Sequence, residues 1–142
     1  MEYKKLSHCV YHCKYHLVLP TKYRKEIFNE AVIRHIELKL LEIKKHYPLL
    51  DFEKLSHDKD HIHLLVSIPP KDSVGSVVRT IKANTSRGIK EVFSFIKDIY
   101  WGSDGIWSEG YFVSTTGINE ETIKKYIEAQ GKEDLGHNKI TI

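Results

Sequence analysis

The segment DHIHLLVSI at residues 60–68 places an aliphatic side chain at every second position and is followed directly by two prolines. Successive side chains of an extended strand point to opposite faces. One face of this segment therefore carries four aliphatic residues: Ile62, Leu64, Val66 and Ile68. His61 and His63 share the other face. We predict a strand that buries its aliphatic face and directs the histidine pair away from that core.

Two histidines on one face of a strand are candidate metal ligands. The rise of a strand puts the attachment points of His61 and His63 roughly 6–7 Å apart, so both imidazoles can reach one ion. Two nitrogen ligands leave coordination positions open for substrate. Asp58 and Asp60 lie close enough along the chain to orient an imidazole. A surface or hydrogen-bonded role for the pair is the alternative that this pattern leaves open.

The chain before this segment predicts a strand, a helix and half of a hairpin. Alternation over residues 7–20 indicates one half-buried strand with Cys9 and Cys13 on its inner face and basic residues on its outer face. Asn29 is a good N-cap for a helix of regularly spaced apolar residues, which Pro48 ends. We expect residues 49–56 to form a short strand, which a polar turn joins to the strand at 60–68.

The chain after this segment predicts a broken helix and another strand. Asp72 or Ser73 can cap a helix whose apolar stripe continues to Ile96, with Gly88 as the position where it bends or breaks. Aromatic and β-branched residues then predict a strand over residues 106–115.

The last helix has strong end signals. Asn119 caps it, and Ile118 and Ile123 stand at the two positions of a hydrophobic staple. Gly131 supplies the predicted stop. Residues 132–142 carry no clear signal, so we predict one domain over residues 1–131 and a C-terminal tail over 132–142.

This order of elements predicts the fold class. Strand, helix, hairpin, helix, strand and helix fit an α+β fold in which helices pack on an antiparallel sheet of the ferredoxin-like or RRM-like type. The length of 142 residues suits a single domain.

Composition predicts a cytoplasmic protein. No apolar run approaches the roughly 20 residues that a membrane span needs, and the first residues lack the pattern of a secretory leader. Cys9 and Cys13 are expected to be thiols in a reducing compartment.

One face of the last helix carries a second group of candidate residues. Tyr126 and Gln130 are four residues apart, so their side chains stand on one helix face. They belong to a stripe with Ile123 and Ile127, and a tyrosine in such a stripe is usually a core or interface residue. Spacing alone therefore leaves both a structural and a catalytic Tyr126 open.

Basic residues provide candidate phosphate contacts. The net charge of +3 is compatible with a nucleic-acid partner but is too small to establish one. The second helix places basic residues at steps of three and four, and others surround the first strand. The candidates are Lys14, Lys22, Arg24, Arg79, Lys82, Arg87 and Lys90. A solvated basic face is the alternative for each of them.

Several motifs occur together in one order. They are the DHIHL motif at residues 60–64, the VYHCKYHLVLPTKYR segment at 10–24, Trp107 with GYFVS at 110–114, and ETIKKYIEAQ at 121–130. Together they resemble the single-tyrosine HUH transposases of the smallest bacterial and archaeal insertion sequences, in which HUH denotes His, a hydrophobic residue and His. The resemblance spans residues 8–130.

The resemblance implies an enzyme and a mechanism. A magnesium or manganese ion would be bound by His61, His63 and Gln130, and Tyr126 would attack a phosphodiester of single-stranded DNA. A 5′-phosphotyrosine intermediate and a free 3′-hydroxyl would result, without ATP. Similar transposases are homodimers that recognise DNA hairpins and can share active sites between subunits, and the resemblance places such a protein at the nucleoid.

Other functions remain to be separated from this one. A noncatalytic nucleic-acid-binding module on a similar sheet would need exposed aromatic residues on its central strands. A zinc-stabilised protein would use His8, Cys9, His12 and Cys13, although alternation sends the histidines and cysteines to opposite faces. A domesticated repeat-associated tyrosine transposase would share the chemistry described above.

Overall fold

The strands and helices are taken from a computed structural model that describes residues 3–117 and 119–136. In chain order the elements are β1 (Lys4–Leu6), β2 (Cys9–Tyr11), β3 (Lys14–Pro20), α1 (Glu30–His46), β4 (Asp51–His57), β5 (His61–Ser67), α2 (Val74–Ser86), α3 (Ile89–Val92), α4 (Ser94–Ile99), β6 (Phe112–Ser114) and α5 (Glu120–Asp134). A short 3-10 turn, Lys22–Arg24, follows β3. No helix in this described part is both long and apolar enough to cross a bilayer.

The main sheet has four strands in the order β4-β5-β3-β6, and every neighbouring pair is antiparallel. β1 and β2 form a separate two-stranded ribbon. The succession β3-α1-β4-β5-α2-β6 is the ferredoxin-like pattern, to which α5 is added. The predicted α+β fold class is confirmed.

The two faces of this sheet are covered by different helices. Alternate residues of β3 and β5 enter the main core together with the apolar stripes of α1 and α2; those strand residues are Leu17, Leu19, Ile62, Leu64 and Val66, each at most 1% exposed. Val18 faces the other side, where it packs with Ile123, Tyr126 and Ile127 of α5. The histidines of β5 alternate with its core residues, so they lie on the sheet face that α5 covers.

Local capping signals predicted the helix starts correctly. The Asn29 side chain accepts a hydrogen bond from the Val32 amide, and Ser73 accepts one from the Ser76 amide. The Asn119 side chain accepts hydrogen bonds from the Glu121 and Thr122 amides of α5. Gly88 has a φ of 74° and separates α2 from α3, as its position indicated. The predicted staple residue Ile118 lies outside the described residues.

The single strand predicted over residues 7–20 is two strands. β3 begins at Lys14, which pairs with Ser67 at the end of β5, and the Ile68 amide donates to the Cys13 carbonyl. Beyond this point Pro69 and Pro70 have no N–H to donate. The sheet partner of the first segment therefore ends, and residues 9–11 pair with residues 4–6 instead. No disulfide joins Cys9 and Cys13, and Cys9 is exposed rather than on the buried face that was predicted for it.

The strand predicted over residues 106–115 shrinks to Phe112–Ser114. Trp107 forms only an isolated bridge with Thr21. The next three carbonyl groups, those of residues 108–110, all accept hydrogen bonds from the Lys82 ammonium group. Carbonyls that converge on one cation cannot alternate in direction as a strand requires, so the ladder starts only after them.

Gly131 does not stop the last helix, which continues to Asp134. A Cβ atom at Gly131 would lie 2.4 Å from Cδ of Arg24 and 2.6 Å from its Cγ. The glycine therefore allows an arginine side chain to cross the helix at close range. Its helical backbone rules out the left-handed C-terminal role that was predicted.

Leu64→Ala should lower the free energy of unfolding by about 2–5 kcal/mol, because the leucine is 1% exposed and its removal leaves a cavity in the main core. Leu41→Ala makes the same change at a helix position that is 61% exposed, and it should cost less than about 0.5 kcal/mol. Urea unfolding of both variants measures the difference. Equal losses would contradict this assignment of the core.

Candidate active site

The predicted histidine pair is present on β5. The ring centroids of His61 and His63 are 5.0 Å apart with planes inclined by 43°. Both side chains are partly buried, and the residue between them, Ile62, is fully buried in the main core. The two-residue period of the strand thus brings the two imidazoles together, as the sequence indicated.

His61 is oriented by the carboxylate that precedes it. Its Nδ1 lies 2.8 Å from Oδ1 of Asp60. The hydrogen bond from His61 is the main cause that lowers the pKa of Asp60. Because an ionised carboxylate only accepts, the proton of this hydrogen bond lies on Nδ1, which leaves Nε2 as the ring nitrogen for a ligand. Asp58, the other predicted partner, instead accepts a hydrogen bond from the Lys59 amide.

The surroundings of His63 favour its neutral form. Burial lowers its pKa first, and the neighbouring His61 lowers it further. The carboxylate of Glu120 acts in the opposite direction with a smaller effect. A neutral imidazole is the form that binds metal ions, so this environment favours a ligand role.

An open cavity of about 690 Å³ lies in front of the histidine pair. Arg24 and Asp60 line it from the sheet side, whereas Glu120 and Lys124 line it from α5. Glu120 was not among the site residues predicted from the sequence. Its place in the first turn of the tyrosine helix was the available signal that it would stand near the site.

Tyr126 is buried beside this cavity and does not line it. The residue is 4% exposed and packs against Val18 and Phe112, and its ring centroid is 5.7 Å from that of Phe112. The hydroxyl oxygen lies 3.4 Å from Oε1 of Gln130. Burial is the main cause that raises the pKa of the Tyr126 phenol above its usual range.

Gln130 belongs to a polar network at the end of α5. It is 2% exposed, and its Nε2 donates to Oδ1 of Asp134 across 3.3 Å. The same Asp134 oxygen accepts from Ser108 Oγ at 2.8 Å, and its other oxygen accepts from the Tyr23 amide at 3.0 Å. Gly110 makes room for the side chains of Gln130 and Tyr126, since a Cβ at position 110 would lie 2.3 Å from Gln130 Oε1.

The tyrosine face and the cavity face of α5 are different. Ile123 and Ile127 reach the cavity wall, whereas Tyr126 and Gln130 point toward Gly110. At about 100° per residue the two faces are separated by roughly a quarter turn. Within one chain, therefore, the structure brings His61 and His63 together but leaves Tyr126 and Gln130 outside their cavity.

Two of the predicted phosphate contacts have partners inside the protein. The Lys82 ammonium binds the carbonyls of residues 108–110 at 2.7–3.2 Å. Lys90, which lies on α3 rather than in line with α2, donates to the Tyr100 and Ser103 carbonyls. Both lysines therefore stabilise loops, and the break at Gly88 separates Lys90 from the predicted basic row.

The other predicted contacts differ in exposure. Lys14 pairs with Glu53 at 2.7 Å, and Lys22 is half-buried. Arg24 has an exposed end but lies 3.5 Å from Asp60. Arg79 and Arg87 are exposed, so these two have the accessibility that a phosphate contact needs.

Lys82→Met should lower the free energy of unfolding by about 1–3 kcal/mol, because the change removes the donor shared by three carbonyls while keeping the apolar stem. Arg87→Met removes an exposed cation from the same helix end and should change stability by less than about 0.5 kcal/mol. Chemical denaturation of both variants measures the difference in their free energies of unfolding. A Lys82→Met protein as stable as Arg87→Met would refute the loop-binding role.

Known proteins share this sequence and this fold. Residues 9–130 match the family described as "Transposase IS200 like". The transposase for insertion sequence element IS200 of Salmonella typhimurium is 36% identical over 142 residues, which cover 98% of this chain and 90% of that protein.

Solved structures agree with this match. A crystal structure from Deinococcus radiodurans R1, assigned as a transposase, has a TM-score of 0.77 and 29% identity, covering 89% of this chain and 97% of that one. A REP-associated tyrosine transposase bound to a REP hairpin has a TM-score of 0.55 at 14% identity, over 94% of this chain and 73% of that one, and it shows the fold alone. Because the family match covers most of the chain and the Salmonella relative exceeds 30% identity, this chain belongs to the IS200-like transposase family.

Proposed function

We propose that this transposase cleaves and rejoins single-stranded DNA at insertion-sequence ends through metal-assisted attack by Tyr126. The observation that carries the proposal is the histidine pair: His61 and His63 stand 5.0 Å apart on the sheet face covered by the helix that bears the tyrosine. Two imidazoles beside an open cavity can bind a metal ion and leave room for a DNA strand.

The donor set fits a divalent ion whose coordination the substrate completes. Within residues 3–117 and 119–136, no three His, Cys, Asp or Glu side chains are grouped closely enough to hold a metal ion. His61 and His63 would supply two nitrogens, and Gln130 would supply an amide oxygen. Magnesium or manganese prefers oxygen ligands, so a DNA phosphate would provide the remainder. Bound there, the ion supplies Lewis acidity at the scissile phosphoryl oxygen.

Tyr126 would act as the nucleophile. Its phenolic oxygen forms a bond to phosphorus while the bond from phosphorus to the 3′-oxygen breaks, which yields a 5′-phosphotyrosine and a free 3′-hydroxyl. Attack by a 3′-hydroxyl on this ester reverses the exchange and rejoins DNA. One phosphodiester replaces another in each step, so no ATP is consumed. Burial raises the pKa of the phenol, so its proton has to leave as attack proceeds.

The site would be completed by a change in the position of α5 or by a second copy of the chain. Tyr126 and Gln130 point toward Gly110 in the present arrangement. We propose a homodimer in which the tyrosine of one subunit reaches the histidine pair of the other. The apolar contact of α5 with the sheet is consistent with such a rearrangement, because among the described residues it is a small cluster of four buried side chains.

DNA recognition is proposed to involve a hairpin and a basic surface. Arg79 and Arg87 are exposed on or next to α2, where they can contact phosphates. Hairpin binding follows the resemblance, and a protein of the same fold is bound to a REP hairpin.

Tyr126→Phe should abolish a covalent protein–DNA adduct, because it removes the attacking oxygen and keeps the buried ring. The protein is mixed with Mn²⁺ and end-labelled single-stranded hairpin DNA from the ends of its own element, and the adduct is sought on a denaturing gel. Tyr47→Phe, at a tyrosine that is 51% exposed, is the matched control and should form the adduct. An adduct from Tyr126→Phe would disprove the nucleophile. Hairpin binding without any adduct from the unaltered protein would support a noncatalytic module.

His63→Ala should lose cleavage, by at least about 100-fold if metal binding fails, and keep most hairpin binding, because the proposed phosphate contacts lie elsewhere. His46→Ala, an exposed histidine at the end of α1, is the control. Filter binding without metal and gel cleavage with Mn²⁺ separate the two properties. Loss of folding in His63→Ala would instead indicate a structural histidine.

Mixing His63→Ala with Tyr126→Phe extends this test to the dimer. If subunits share active sites, mixed dimers contain one intact site, and cleavage returns to a fraction of the unaltered rate. If each subunit uses its own residues, the mixture stays inactive, and the shared-site part of the proposal is wrong.

A further inference from the structure

We propose that Arg24 is a positioning residue for the histidine pair, which it controls through Asp60, and that Gly131 provides the space for it under the tyrosine helix. This inference rests on the proposed metal-binding role of His61 and His63. It replaces the phosphate contact that the sequence suggested for Arg24.

Arg24 and His61 hold the two oxygens of one carboxylate. Nε of Arg24 lies 3.5 Å from Oδ2 of Asp60, and Nδ1 of His61 lies 2.8 Å from Oδ1. The Asp60 side chain is only 16% exposed, so both contacts are largely shielded from water. A carboxylate fixed at one oxygen presents the other in a fixed direction, which selects the Nδ1–H form of His61 and aims Nε2 at the cavity.

The backbone at Asp60 is fixed by the turn that carries Arg24. The amide of Thr21 donates to the Asp60 carbonyl at 2.9 Å, and Thr21 Oγ1 lies 3.1 Å from the same oxygen. Thr21 is fully buried. Arg24 and Asp60 are therefore held in register both through the main chain and through their side chains.

The turn itself has a conformation that its surroundings must maintain. Tyr23 and Arg24 have φ values of 60° and 54°, in the left-handed region that residues with a Cβ adopt at a cost. Asp134 of α5 accepts a hydrogen bond from the Tyr23 amide at 3.0 Å, and Tyr100 Oη donates to the Lys22 carbonyl at 2.7 Å. These contacts fix the turn from which the half-exposed Arg24 side chain reaches Asp60.

Gly131 of α5 leaves the space that the Arg24 side chain occupies. The stem of Arg24 crosses α5 where any larger residue would overlap it, with Cδ and Cγ only 2.4 and 2.6 Å from the position of an added Cβ. These atoms lie in the middle of the side chain, so an alanine at 131 cannot be accommodated by moving the guanidinium end alone. The tyrosine helix and the orientation of His61 are thus linked through one arginine.

The test uses two NMR measurements on the full chain labelled with ¹⁵N in its histidine rings. The first reads the tautomer of His61 without metal, and the second follows the broadening of the His61 and His63 signals as Mn²⁺ is added. Arg24→Gln removes the charge and the Nε contact with Asp60. Lys25→Gln removes the next, exposed cation and is the matched control. Gly131→Ala displaces the Arg24 stem while every charge is kept.

We expect Arg24→Gln and Gly131→Ala to mix the His61 tautomers and to weaken Mn²⁺ binding about tenfold, the lower end of the loss for outer-shell partners of a metal ligand. Lys25→Gln should match the unaltered protein, and Arg24→Lys should fall between. Alanine favours a helix more than glycine does, so Gly131→Ala tests the link even if Arg24→Gln fails to fold.

The possible results separate the inference from the proposed function. Unchanged tautomer and unchanged Mn²⁺ titration in Arg24→Gln and Gly131→Ala would overturn the positioning role. Unchanged tautomer with weaker metal-free hairpin binding in Arg24→Gln would restore the phosphate contact in its place. A shifted tautomer in a protein whose histidine signals never respond to Mn²⁺ would uphold the link and reject the metal site.

Discussion

The two-residue period of β5 is the constraint on which the rest of the structure depends. β5 lies between β3 and β4, so its register is set on both edges. Ile62, Leu64 and Val66 enter the main core, and the residues between them face α5. A slip of one residue would bury the histidines and expose the aliphatic side chains, at a cost of several buried apolar groups. The strand register that buries the aliphatic core therefore also places the histidine pair.

The helices on the two faces of this sheet share clusters of buried residues of unequal size with it. α1 and α2 share a large core with the sheet, whereas α5 rests on Val18 and a few apolar residues and is tied at its end by Asp134. Elements with few buried contacts open more readily than the core. The helix that carries Tyr126 is thus attached through fewer buried apolar residues than the strand that carries the histidine pair.

Elements with local signals were predicted well, and those that depend on distant partners were not. Asn29, Ser73 and Asn119 cap their helices through side chains that bond amides within three residues. The first strand was predicted too long because the length of its partner β5 is not visible in its own alternation. The residue 106–115 strand was predicted too long because Lys82, 26 residues or more away in the chain, binds its carbonyls.

The sequence by itself determined that His61 and His63 share a face, because strand alternation is a property of consecutive residues. It also placed Tyr126 and Gln130 on one helix face, because residues four apart in a helix lie on the same side. Only the tertiary structure decided that these two side chains are buried beside the histidine cavity and do not line it, since packing against Val18 and Phe112 sets the rotation of α5. It likewise decided that Gly131 accommodates an arginine, because that neighbour is more than one hundred residues distant in the chain.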